Sequence, residues 1–199
     1  MSEFDTQTLA FYTAEAPVYT SSRPDGISRH LTGFLERLPI GGSILELGCG
    51  GGIDAAHMIA RGFAVEPTDG VPEIAKQAEA RLGMPVRVMR FEELADTGKY
   101  DAVVANAALL HVPRESLAAI LAKVWCALKS GGWHMASYKG GGAEGRDAHG
   151  RYYNYLSRAD AEAYYRAAGE WDVLEFEEPI GGGYFGEVGP WLKVSARKA

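Results

Sequence analysis

The sequence predicts a doubly wound α/β fold. It would hold a seven-stranded, mostly parallel sheet, with an antiparallel strand at the C-terminal end and helices on both faces. Three observations lead there. Short apolar runs that suit strands alternate with amphipathic runs of helical length. Proline opens and glycine closes several of the helical runs. The last two apolar runs, WDVLEFEE and WLKVSARK, have only a glycine-rich turn between them. That turn is too short for a helical crossover, so the two strands should pair antiparallel.

In chain order, residues 5–16 suit a helical arm. A second helix should follow Pro24 and Asp25. It carries Ile27, Leu31, Phe34, Leu35 and Leu38 on one face and stops at Pro39. SILEL is strand one. A helix from about Ile53 to Arg61 is ended by Gly62, and FAVEPTD is strand two. Pro72 opens a helix to Leu82 that Gly83 closes. VRVMRF and YDAVVANA are strands three and four. Pro113 opens a long amphipathic helix through Leu128, and GGWHMASY is strand five. Residues 139–155 form a loop rich in glycine and aromatic residues, and Ser157 caps a helix to about Ala168. The expected organisation is one domain over 1–199: an N-terminal arm (1–40), a core (43–138), and a loop with the last strands (139–199).

A chain of 199 residues that is 47% hydrophobic can bury a full core. Its net charge of −6 leaves no broad basic footprint for nucleic acid. No apolar run is long enough to span a bilayer, and the acidic start does not resemble an export or transit peptide. Cys49 and Cys126 lie far apart and form no CxxC pair, which suits a reduced, cytoplasmic setting. The five histidines do not cluster with the cysteines, so no metal site is expected. Nothing in the sequence signals an oligomeric state.

The stretch SILELGCGGGIDAAHMIA, residues 43–60, carries the chemistry. Glu46 is followed by Gly48, Gly50, Gly51 and Gly52 between a strand and a helix. So many glycines, each with an entropic cost, suggest backbone that approaches a ligand closely. A phosphate-binding P-loop is excluded, because no Lys–Ser/Thr pair follows. A dinucleotide fingerprint started at Gly48 would need glycine where Ile53 stands. Started at Gly50 it meets only the looser form ending in Ala55.

ILELGCGGG resembles the first motif of the class I S-adenosylmethionine (SAM)-dependent methyltransferases. The resemblance continues in order through PTDGVPEIAKQA, YDAVVANAALLHVP and ALKSGGW, over residues 43–138, about half of the chain. Among these it is loosely similar to the small bacterial, tellurite-resistance-like type. The resemblance implies a Rossmann-like fold, SAM as cofactor and methyl transfer to a small-molecule acceptor. It implies that Glu46, Gly48, Cys49 and Gly50 form the cofactor loop, and that Asp69, beside Gly70, receives the ribose hydroxyls. Glu66 is the competing acid, and a helix N-cap is the plain alternative for Asp69. The family's adenine-binding acid is not matched: Arg90 and Phe91 stand there, followed by Glu92 and Glu93. Either the Phe91 backbone and a Glu side chain are expected at the adenine, or the match to the family shifts by two residues. Asn106 would present its carbonyl to the cofactor's ammonium. Tyr12, Tyr19 and Arg23 of the arm would fold over the cofactor.

For catalysis, His111 after strand four is a candidate general base, and a packing histidine is the plain alternative. The loop around 139–157 should form a lid and an acceptor pocket. Arg151, Tyr152 and Tyr153 are its substrate-binding candidates: Arg151 would hold an anionic acceptor, and Tyr152, the catalytic candidate of the loop, or Tyr153 would wall off water near the methyl. Two other readings stay open: an NAD(P)-dependent oxidoreductase using the same loop and acid, and a non-catalytic SAM-binding protein.

Overall fold

The parallel strands carry apolar side chains on both faces, and this alternation sets the layers. The computed structural model describes residues 4–21 and 26–199. In β1 (Ser43–Leu47), Ile44 points to one face while Leu45 and Leu47 point to the other. In β4 (Tyr100–Ala105), Ala102 and Val104 oppose Val103 and Ala105 in the same way. One face is covered by α2 (Leu31–Leu35) and α3 (Ile53–Ala60), through Leu31, Phe34, Leu35, Ala55 and Met58. The other is covered by α5 (Arg114–Ala127) and α6 (Arg158–Ala168), through Leu117, Ile120, Leu121, Val124, Ala161 and Tyr165.

The remaining elements complete the sheet. They are β2 (Ala64–Asp69), β3 (Arg87–Val88), β5 (Leu128–Lys139), β8 (Trp171–Glu177), β9 (Ile180–Gly182) and β10 (Val188–Lys198). The order is β3-β2-β1-β4-β5-β10-β8, with β9 paired to β10. β1 pairs parallel with β2 and β4, and β4 pairs parallel with β5. β10 runs antiparallel between β5 and β8. The expected doubly wound sheet and its antiparallel C-terminal strand are both present. The order reverses at β1 and β4, and the crevice above the C-terminal ends of these strands is where open α/β sheets bind ligands.

Several local expectations hold to the residue. The helix α4 (Pro72–Leu82) starts at its proline and ends at Gly83, which has φ +64°. Ser157 caps α6 in a reciprocal box with Asp160. Others are revised. The arm is longer than expected: α1 (Thr6–Ser21) continues through Pro17. The second helix shrinks to α2, and Ile27 is exposed instead of joining its buried face. The chain before α2 is held by Ser28, whose N–H donates to Asp54 Oδ1 at 2.8 Å. Strand three shrinks to two residues because Arg90–Glu93 folds into a capped 3₁₀ turn, with Arg90 N–H donating to Glu93 Oε2 at 2.8 Å. The loop after β5 is partly ordered as a short hairpin of β6 (Gly145–Arg146) and β7 (Tyr152–Tyr153).

Candidate functional site

The loop between β1 and α3 turns on three glycines with positive φ: Gly48 at +70°, Gly50 at +54° and Gly52 at +75°. A Cβ on Gly48 would lie 2.7 Å from the Cβ of Ala108, so no side chain fits there. Cys49 N–H donates to Thr68 O at 2.8 Å and ties the loop to the end of β2. Burial pushes the Cys49 thiol up, so it is a small packing residue of the loop, not a nucleophile.

Asp69 ends β2 and is buried. Its Oδ2 accepts from Gly50 N–H at 3.0 Å and its Oδ1 from Val71 N–H at 2.9 Å. The N-cap residue of α4 is Val71, and no side chain caps that helix, so Asp69 braces the glycine loop and does not act as a cap. Burial raises its carboxyl to about 6 despite the two backbone bonds. Glu66, the competing acid, is engaged elsewhere: Arg87, Lys99 and the Tyr100 hydroxyl bind it at 3.1, 2.7 and 2.8 Å. It lines neither cavity described next.

Asp69 lines a cleft that is open to solvent on one side. Its walls are mainly apolar and include Leu9, Gly70, Val71, Ile74, Phe91 and Val112. Phe91 and Glu92 both line this cleft. Of the two acids after strand three, Glu92 lines this cleft and Glu93 does not.

A second cavity adjoins the first, and Tyr12, Tyr19, Gly48, Ala107 and His111 line both. Glu46 faces this second cavity. It is buried, its Oε2 has no hydrogen-bond partner, and burial raises its carboxyl well above the ordinary range. Asn106 is fixed by its side chain: its Nδ2 donates to Ser28 Oγ at 2.6 Å, and its Oδ1 accepts from Ser137 Oγ at 2.7 Å. Ser137 Oγ in turn accepts from Ala107 N–H at 2.8 Å. Ala107 has φ +48°, a left-handed conformation held at the cavity wall by these bonds.

His111 Nδ1 lies 2.6 Å from Tyr152 O. A carbonyl only accepts, so Nδ1 carries the proton and Nε2 is the lone-pair nitrogen. Nε2 accepts from the Tyr12 hydroxyl at 3.0 Å. Burial, aided by the nearby Arg151 and Lys139 charges, lowers His111 to about 4 against the carbonyl bond, so it is neutral at pH 7. The ring is thus a neutral base with its basic nitrogen at the cavity wall, covered by the arm's tyrosine. Tyr19 packs edge-on against Tyr12 with ring centroids 5.0 Å apart. Arg23 lies outside the described residues.

The loop residues separate. Arg151 and Tyr153 line the second cavity. Arg151 is 1% exposed, pairs with Asp147 Oδ2 at 2.7 Å, and donates to the Tyr12 hydroxyl at 3.3 Å. Tyr152 departs from expectation. Its hydroxyl donates to Glu144 and accepts from Arg114 N–H at 3.2 Å, and it lines neither cavity. Side chains alternate along β7, so Tyr153 inside places Tyr152 outside. Tyr152 meets the site through its backbone alone, as the acceptor for His111. Sequence reasoning missed Ser28, Asp54, Lys139, Tyr184 and Trp191, which also line the second cavity. Lys139 was findable as the last residue of strand five. Tyr184 and Trp191 arrive from the C-terminal hairpin, for which no motif existed.

Comparison with known proteins fits this geometry. Residues 44–132 match the family model described as a methyltransferase domain. A ubiquinone biosynthesis O-methyltransferase of Xanthomonas axonopodis pv. citri is 36% identical over 101 residues, covering 47% of this chain and 41% of its own length. The chain thus spans about two fifths of the length of the curated relatives it matches. A solved SAM-dependent methyltransferase of Methanosarcina mazei superposes with a TM-score of 0.73 at 17% identity, covering 83% of this chain and 96% of that one. The 1,6-didemethyltoxoflavin-N1-methyltransferase of Burkholderia thailandensis, solved with 1,6-didemethyltoxoflavin and S-adenosylhomocysteine, has a TM-score of 0.72 at 20% identity. That match covers 96% of this chain and 88% of the Burkholderia protein. At these identities the solved structures establish the shared fold.

Proposed function

We propose that this chain, a member of the class I SAM-dependent methyltransferases, transfers a methyl group from SAM to a small-molecule acceptor in the cytoplasm. The observation that carries the reading is Asp69. Its buried carboxylate braces Gly50 and lines a mainly apolar cleft, with oxygen lone pairs to spare for two ribose hydroxyls. The rest of the donor set fits the same cofactor. Phe91 and Ile74, which line the cleft, would wall the adenine end, and Glu92 beside them would receive the adenine amino group. Gly48 lets the backbone pass close beneath the ligand. The orphaned Oε2 of Glu46 suits an ammonium.

The sulfonium of SAM supplies an already activated methyl group, so the protein's work is positioning and dehydration. Tyr12 and Tyr19 cover the junction of the two cavities and keep water from it. Asn106 is locked by Ser28 and Ser137, which fixes the backbone at Ala107. His111, neutral and with Nε2 toward the cavity, takes the acceptor's proton once Tyr12 yields its place. Arg151 and Tyr153 line the acceptor side. The arm, the core and the C-terminal segments work as one unit, because the site draws on all three.

Calorimetric titration with SAM, S-adenosylhomocysteine, NAD⁺ and NADP⁺ tests the reading. Binding of the first two and none of the others is expected. Tight binding of a nicotinamide cofactor without any heat from SAM would overturn it.

A further inference from the structure

Resting on that reading, we propose that Lys139 and Arg151 together bind a carboxylate on a planar, aromatic methyl acceptor, and that Glu187 occupies their site until the acceptor arrives. Lys139 ends β5 and Arg151 precedes β7, and both line the second cavity. Their side chains are 13% and 2% exposed, whereas that of Glu187 is 43% exposed. Glu187 Oε1 sits 2.5 Å from Lys139 Nζ and 4.0 Å from Arg151 Nη2.

Two buried cations need anions, since a desolvated charge without a partner is costly. Asp147 supplies one from the same turn as Arg151, held by two further backbone bonds: the Arg151 and His149 N–H groups donate to its Oδ1, each at 2.9 Å. The second anion comes from elsewhere. Glu187 reaches in from a hairpin that contains Gly182, Gly183 and Gly186, the last with φ +83°, and its other anchors are local to that hairpin. Of the two carboxylates it is the more exposed and the one on the more pliable backbone, so it is the one an incoming anion displaces. Arg151 Nε and Nη2 engage Asp147 and Nη1 engages the Tyr12 hydroxyl, and the guanidinium's five N–H groups leave donor capacity for a carboxylate as well.

The group already seated between the cations defines the chemistry of the ligand's charged end. The walls define the rest. The Tyr153 ring lies 4.4 Å from Lys139 Nζ, and Tyr184 and Trp191 complete the cavity. Flat aromatic walls beside a pair of cations suit a ring that carries a carboxylate. Exchange is also self-gating: when the acceptor takes the cations, the freed Glu187 returns to water, where its charge is cheaply solvated. In the unliganded protein the Lys139 hydrogen bond and charge outweigh burial and hold the Glu187 carboxyl below its ordinary range, so an ionised group is seated there at pH 7.

The test is calorimetry on the full chain saturated with S-adenosylhomocysteine, with benzoate as probe and benzamide as its neutral counterpart. Benzoate should bind at least about tenfold more tightly than benzamide. Glu187→Gln should tighten benzoate by about tenfold, because it removes the competing anion, and should leave benzamide unchanged. Lys139→Met should weaken benzoate by about tenfold or more. Glu187 is at the surface, so its variant folds even if Lys139→Met does not. Equal affinity for the two probes, no benzoate binding by any of the proteins, or unchanged or weaker benzoate binding by Glu187→Gln overturns the proposal. The S-adenosylhomocysteine titration that precedes each run tests the cofactor reading separately, and it should be the same in the wild type and in Glu187→Gln.

Discussion

On the cofactor side of the site, Glu46 and Asp69 are buried, and no arginine or lysine among the described residues bonds to either. Burial holds both carboxyls above their ordinary range. On the cover, formed by the arm, the 139–157 loop and the C-terminal hairpin, the acids behave in the opposite way. Burial would raise Asp5 and Asp147, but hydrogen bonds and charge from Arg146 and Arg151 outweigh it, and Asp5 is brought down to about 2. One side is left electrostatically incomplete, as a site for a ligand with hydroxyls and an ammonium would be. The other already pairs its acids with its own cations. The contrast separates acids left unpaired from acids already paired.

The contrast can be broken first on the cover. Arg151→Ala leaves Asp147 without its cation and opens a void among Phe11, Tyr153 and Phe185, whose rings lie 5.0, 5.3 and 5.1 Å from the guanidinium. A loss of about 3–5 kcal/mol of stability is expected by denaturant titration, the usual cost of halving a buried ion pair. A loss under about 1 kcal/mol would mean that the cover is not held by this pair.

A smaller effect sharpens the contrast through pH. Burial lifts the folded-state value of Asp69 to about 6, above its ordinary value of 3.8. Its contribution to stability is therefore fully present below about pH 4 and is lost as pH rises through about 6, which costs the unliganded protein about 3 kcal/mol by pH 7. Asp147, with a lowered value, contributes the other way: its stability is present at neutral pH and lost as pH falls through its folded value. In the proposed site, the ionised Asp69 would be the form that accepts two ribose hydroxyls. Affinity for S-adenosylhomocysteine should fall by up to about tenfold per pH unit below pH 6. Affinity that does not change between pH 5 and 7 would contradict this assignment.

The same divide governs what was legible in the sequence. The cofactor side is built from short segments whose chemistry is local. SILEL ends at a glycine loop, FAVEPTD ends at an acid, and Pro72 with Gly83 frames a helix. Each could be placed without knowing the rest of the chain. The cover is built from contacts across most of the sequence. Arg146 with Asp5 spans 141 positions, Arg151 with Tyr12 spans 139, and Tyr152 N–H with Thr8 Oγ1 spans 144. Composition marked the loop as special, but it could not reveal which of two adjacent tyrosines turns inward, because that depends on the two-residue strand β7. The extended path before α2 was hidden for a similar reason: it is fixed by a bond from Ser28 to Asp54, 26 residues away.

The most direct measurement is the affinity of Asp69→Ala for S-adenosylhomocysteine at pH 7, with Glu66→Ala as its control. Asp69 lines the cleft and holds Gly50, whereas Glu66 is bound by Arg87, Lys99 and Tyr100 outside it. Asp69→Ala should lose about 2–4 kcal/mol of binding, the worth of two charge-assisted hydrogen bonds in a partly closed site. Glu66→Ala should bind as the wild type does. Unchanged affinity in Asp69→Ala, or an equal loss in both variants, would contradict the assignment of the cofactor site.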